Sequence, residues 1–293
     1  MSEPNFTWGE KDSESFCKEL HTTYDEVVHW RKNCFKIPLG NAGKSLVDEL
    51  CRLYSAFADA SALECVALRA TVILPILVLQ QPHRRSKPKE LIACLERRLK
   101  TWKDGDLESL VEEGRAIQHR LPKTWPSQSE SNLARSFANL MFNGKTHAAL
   151  DLLSNNGKGG VLHIDHVLES GTDAGLSVKD ILKAKHPVGQ SASPADVPPG
   201  TPPQPHPVVF NRVDAVLIRS TALRTTGAAG PSGLDAHAWR RLCTAFKASS
   251  SSLCRSLANV TKRLCTTCVD PKAVSPLLAN RLIALDKCPG VTD

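Results

Sequence analysis

The sequence predicts a mainly α protein. Apolar residues recur at three- to four-residue intervals through the first 153 positions, serine or aspartate stands ahead of several of these stripes where a helix cap belongs, and proline or glycine closes them. Ser13 is placed to cap a helix with Phe16, Leu20, Tyr24, Val27 and Val28 on one face, ended by Pro38 and Gly40. A second helix is predicted from Lys44 to Ala58, with Leu46, Leu50, Leu53, Tyr54 and Phe57 together. Ser61-Ala-Leu-Glu64 has capping-box spacing before the apolar run from Ala62 to Leu79. That run contains Glu64, Arg69 and Pro75, so it reads as a buried helix and not a membrane span.

Pro82 and Pro88 frame a basic turn. Leu91, Ile92, Leu95, Leu99 and Trp102 make the next stripe, which leaves Glu96, Arg97, Arg98 and Lys100 for the surface and ends at Asp104-Gly105. Asp106 caps a helix reaching His119, halted by Pro122 and Pro126. Ser129 to Asn143 and Thr146 to Leu153 continue the series. Connections this short make the helices neighbours in a bundle or irregular array.

Between Pro187 and Pro207 lie eight prolines in 21 residues, mixed with Gly, Ser and Gln. Such a stretch is expected to be an extended linker. Beyond it, helices are predicted for Val213 to Thr225, Asp235 to Phe246 and Ser249 to Cys265, a turn for Gly227 to Gly233, and a short strand for Leu282 to Leu285.

The charge is unevenly placed. From Val208 onward there are 12 Lys and Arg against five Asp and no Glu, whereas the residues before it balance at 25 of each sign. The basic segment therefore fits a polyanionic partner, RNA or DNA, held by release of phosphate counterions; a merely solvating basic surface is the alternative. Aromatic residues make up 5% of the chain, and its five Trp are scattered, which argues against a platform for stacking bases. Ten Cys without a basic and apolar leader predict reduced thiols and an intracellular protein, cytoplasmic or nuclear.

Gly40-Asn-Ala-Gly43-Lys44-Ser45 approaches the phosphate-binding loop, but the position of its first glycine is Pro38 and the preceding residues read as a helix end, so a turn before a helix is expected. Cys265-Thr-Thr-Cys268 has knuckle spacing without a second ligand pair; Cys243 and Cys254, at 11-residue intervals upstream, fall on helix faces. His163-Ile-Asp165-His166 has no matching ligands either. No metal site is expected. There is no Gly-x-Ser-x-Gly and no His-Glu-x-x-His, which leaves a hydrolase without machinery.

One pattern points to a family. Gly230-Pro231-Ser232-Gly233-Leu234-Asp235 opens a helix bearing Trp239, Leu242 and Phe246, and Leu282-Ile-Ala-Leu-Asp-Lys287 follows. This pair resembles the entry to the reverse transcriptase domain of non-LTR, LINE-like retrotransposon polyproteins. Cys94-Leu-Glu-Arg-Arg-Leu-Lys-Thr-Trp, Arg135-Ser-Phe-Ala-Asn-Leu-Met and Gly159-Gly-Val-Leu-His are similar to the region ahead of that domain.

The resemblance implies a helical pre-transcriptase domain over 1–165, a linker over 166–207 and an incomplete fingers portion over 208–293. It implies Lys287, flanked by Arg281, near template or incoming nucleotide; the basic charge of the segment adds Arg240, Arg241, Lys262 and Arg263 as candidate phosphate contacts, and Gly230, Pro231, Ser232, Gly233 and Asp235 are read as a structural turn. The family's palm aspartates, which would hold two Mg²⁺ ions, do not occur before Asp293. The expectation is thus a truncated reverse transcriptase-like chain without catalytic residues or polymerase activity, needing no cofactor, and binding RNA or DNA weakly. The segment after Val208, lacking a palm, is expected to expose apolar faces and to be marginally stable. The competing expectation is a helical protein-interaction module with no nucleic-acid role.

Overall fold

Leu46, Leu50, Leu53 and Phe57 repeat along one helical face and are fully buried. The reason lies partly in residues two hundred positions away. The computed structural model describes residues 13–278, apart from 32, 62, 84, 122–129, 155–163, 169–171, 187–205 and 228. In chain order the helices are α1 (Ser13–Val27), α2 (Asn41–Ala58), α3 (Glu64–Val78), α4 (Pro88–Lys103), α5 (Leu107–Arg120), α6 (Glu130–Phe142), α7 (Thr146–Ser154), α8 (Val178–Lys185), α9 (Ala215–Arg224), α10 (Ala236–Thr244), α11 (Ala248–Thr266) and α12 (Pro271–Leu278). A 3-10 turn, Pro207–Arg212, precedes α9. Among the described residues β structure is limited to two isolated antiparallel bridges, Cys34 with Gln80 and Val167 with Ser177. The mainly α class is as the periodicity predicts.

Two compact units divide the chain. The first joins residues 1–121 with 203–281, and the second comprises 122–202 and 282–293. The first unit thus combines stretches that the sequence assigns to different domains. Within it α3 packs against α1, α2, α4, α5 and α12, while α11 lies along α2. Val66, Leu68, Ile73 and Leu74 of α3 are completely buried, each contributing about 1.5–3 kcal/mol of transfer free energy. Small side chains let α11 approach α2: Ser256 Oγ lies 2.8 Å from Ser55 Oγ and 3.2 Å from Cys51 Sγ. Leu242, Phe246, Leu253 and Val260 enter the same core as Leu50 and Phe57. The segment after Val208 thus buries part of its apolar surface against α2 and α3, while Val208, Val209, Val216, Leu217, Leu223, Leu277 and Leu278 stay exposed, as expected for apolar faces there.

Three local expectations change. Arg98, expected on the surface, is 1% exposed. Its Nη1 donates to the carbonyls of Val78 (3.2 Å) and Gln80 (2.6 Å), and its Nε and Nη2 to Glu113 Oε1. The end of α3 is buried there and its carbonyls need donors, which a guanidinium supplies with a complementary charge. The capping box at Ser61 does not form: Ser61 Oγ accepts from Leu63 N–H at 3.3 Å, α3 starts at Glu64, and Glu64 pairs with Arg263. Helices α8 and α12 also add to the sequence reading. Ser177 caps α8 by accepting from Asp180 N–H, inside the stretch read as linker, and Asp270 precedes Pro271 at the start of α12.

In the second unit, α6 packs on α7, and Leu168 with Gly175 and Leu176 closes a turn leading into α8. Met141, Phe142, Leu150 and Leu153 remain exposed there. The expected linker between Pro187 and Pro207 lies, up to residue 205, outside the described residues, as does the expected strand from Leu282 to Leu285.

Candidate functional site

The turn that carries the family resemblance is built from backbone chemistry. Gly233 N–H donates to Gly230 O at 3.1 Å, with Pro231 fixing the first corner of the turn. Gly233 sits at φ +77°, the left-handed region, so its lack of a side chain is required. Gly230 has no such constraint, since a Cβ there would meet nothing within 4 Å. Ser232 Oγ accepts from Leu234 N–H at 3.3 Å, and Asp235 Oδ1 accepts from Ala238 N–H at 2.7 Å, starting α10. The cap predicted at Asp235 is present.

This turn forms one wall of a groove of about 570 Å³. The other wall is the segment Cys34 to Ile37, held by Phe35 N–H donating to Leu79 O and Gln81 N–H donating to Asn33 O, both at 2.8 Å. Lys36, His237 and Arg241 bring cationic or protonatable groups to a lining that also holds Asp235.

The candidate contacts part company here. Arg240 donates through Nη2 to Thr225 O at 2.9 Å, tying α10 to the end of α9. Arg263 is turned inward: it donates to Phe57 O, pairs with Glu64 and stacks 4.8 Å from the Phe57 ring centroid. Arg241 lines the groove, and Lys262 lies half-buried on α11. Arg281 and Lys287 fall outside the described residues. Of the four described candidates, Arg240 and Arg263 are engaged within the fold, Arg241 lines the groove and Lys262 lies on α11.

Burial patterning reveals a cationic face that motif reading passed over. Lys247, at the cap of α11, is followed by Arg255, Asn259 and Lys262 at helical spacing, and each is exposed or half-buried. From Lys247 to Lys262 the stripe extends over about 22 Å of the helix axis. No acidic residue stands on it. The three aspartates described after Val208 are occupied elsewhere: Asp214 caps α9, Asp235 caps α10 and Asp270 accepts from Lys272 N–H at 2.9 Å. These carboxylates face backbone N–H groups at helix N-termini, and Lys247, Arg255 and Lys262 have no acidic residue on their own helix. The signal available in the sequence was Asp one residue ahead of α9, α10 and α12.

The remaining motifs take structural roles. Gly43 is buried on α2, where a Cβ would fall 2.0 Å from Pro38 O and 2.7 Å from the Phe246 ring. Lys44 Nζ bonds Asp48 at 2.7 Å one turn on. The glycine thus serves close packing of α2 against Phe246. Cys243 and Cys254 are buried together beside α9, and the neighbouring Cys254 thiol, reinforced by burial, pushes the Cys243 thiol up. Cys265 and Cys268 are exposed. Among the described residues no cluster of three or more His, Cys, Asp or Glu is placed to hold a metal, and no helix is long and apolar enough to cross a membrane.

Comparisons of the chain with protein families, with curated proteins and with solved structures found no match.

Proposed function

We propose that this chain is a nucleic-acid-binding protein that holds RNA or DNA by its phosphates, as a retroelement-derived, reverse transcriptase-like protein that binds without polymerising. The observation supporting it best is the acid-free stripe of Lys247, Arg255, Asn259 and Lys262 on α11, in a segment whose described aspartates are spent on helix caps. Cations and amides along a helix suit phosphate contacts, which position a nucleic acid without reading its sequence. Arg241, on α10, adds a further cation of this segment, in the groove beside Gly233.

Fluorescence polarisation with labelled single-stranded RNA and duplex DNA tests it. Binding should weaken steeply between about 50 and 200 mM salt, with a log–log slope of roughly −2 to −3 for three or so phosphate contacts. Arg255→Ala with Lys262→Ala should flatten that slope by about two contacts and affect all sequences alike. Binding that ignores salt, or an unchanged slope in the double variant, refutes the assignment. Primer, template, dNTPs and Mg²⁺ should give no extension; processive extension would overturn the non-polymerising part.

A further inference from the structure

Helix α9 is apolar on two sides, and the fold uses one of them. Ala215, Ile218 and Ala222 face the buried Cys243 and Cys254 with Trp239. On another side Val216, Arg219 and Leu223 form an exposed stripe, with Val216 at 73% and Leu223 at 51% exposure. Leu217 and, in the preceding turn, Val208 and Val209 are exposed as well. Single exposed aliphatic residues are ordinary on protein surfaces, but five large ones are exposed within residues 208–223, three of them on α9.

The charge around these residues is mainly positive, three arginines against the exposed Asp214. Arg212, Arg219 and Arg224 are exposed and have no carboxylate partner among the described residues, while the Asp214 carboxylate is taken by Leu217 N–H at 2.8 Å. A second copy of the same face would set arginine against arginine. A nucleic acid would lay phosphates on valine and leucine, with Phe210, half-buried, as the nearby aromatic. An amphipathic helix satisfies both features: an apolar seam at i, i+3, i+4, i+7 covers the Val216–Leu223 stripe, and flanking carboxylates meet the three arginines.

We propose that the outward face of α9, with the turn before it, docks an amphipathic helix bearing acidic flanks. The surface is distinct from the α11 stripe, so RNA or DNA bound there should not compete. The probe is a labelled synthetic peptide of about 18 residues with leucines at that spacing and glutamates elsewhere, compared with a lysine-flanked version and a scrambled one. The full chain should bind the glutamate peptide at micromolar concentration, as suits a small interface, and the scrambled peptide at least about tenfold more weakly. Val216→Ser with Leu223→Ser should lose about tenfold while keeping the wild-type melting temperature, since both side chains are exposed. Arg219→Glu should shift preference to the lysine peptide.

Equal binding of all three peptides, or of the wild type and the double variant, overturns the proposal. So does concentration-dependent self-association that the double variant abolishes, which assigns the face to a second copy. Peptide binding that appears only after removal of residues 279–293 assigns it to the chain's own tail. Capture by phosphatidylserine vesicles in place of the peptide assigns it to a membrane surface.

Discussion

Arg98 and Arg263 show how this chain spends charge on its own interior. Arg98 serves the end of α3 and Glu113 together, so replacing it by methionine should cost roughly 3 kcal/mol in denaturant unfolding, leaving buried carbonyls without donors. Burial alone would raise the Glu113 carboxyl; the hydrogen bonds from Arg97 and Arg98 outweigh it and hold that carboxyl below the ordinary carboxylate range. A depressed carboxylate contributes stability above its unfolded pKa, and that contribution is lost as pH falls through the lower folded value. The melting-temperature gap between wild type and Glu113→Gln should therefore be open at pH 7 and narrow below about pH 4; a gap independent of pH contradicts the ion pair. At Gly43 packing and chemistry predict opposite patterns. Gly43→Ala forces a methyl into Pro38 O and the Phe246 ring and should cost about 3 kcal/mol or more, whereas Lys44→Ala removes an exposed pair worth under about 1 kcal/mol. A nucleotide-binding loop would instead lose nucleotide affinity at Lys44.

At the scale of elements, caps and turns fix where helices begin, and the same aspartates set the electrostatics of the basic segment. Asp235→Ala should destabilise by about 1 kcal/mol through loss of the cap on Ala238 N–H, and also strengthen binding to RNA at low salt by removing a negative charge. Chemical denaturation and polarisation on the same variant check the two signs together. The turn before it should tolerate Gly230→Ala and resist Gly233→Ala by about 1–2 kcal/mol, because only Gly233 occupies the left-handed region. Much of this was legible in the sequence. The stripes at Leu46–Phe57 and Leu95–Trp102, the caps at Asp106 and Asp235 and the buried run of α3 all follow from period and capping chemistry. What escaped was tertiary: nothing local marks Arg98 for burial, and the 3.6-residue period does not say that Ser256 faces Ser55 across 201 positions. The α11 stripe is legible only once the helix's buried face is known.

Over the whole molecule, the decisive fact is that residues 203–281 share a compact unit with 1–121. The proline-rich stretch predicted a boundary because composition reports local stiffness; it is silent about whether the chain returns to the core it left. The core itself argues for interdependence. Leu253 and Val260 of α11 are buried in one cluster with Leu50 and Phe57 of α2, and Arg69 of α3 donates to Lys272 O and Ser275 Oγ of α12. Neither stretch can expose those faces to water without losing several buried aliphatic side chains, each worth about 1.5–3 kcal/mol. If a specific protease site is inserted within residues 187–205 and cut, the two fragments should co-elute in gel filtration and melt in one transition near that of the intact chain. Two transitions, or a folded 1–186 fragment eluting alone, would mean that the segment after Val208 stands apart from the N-terminal helices. Co-elution would instead mean that the cationic face of α11 is held in place by α2, so that destabilising α2 at Gly43 weakens nucleic-acid binding from a residue that touches none of it.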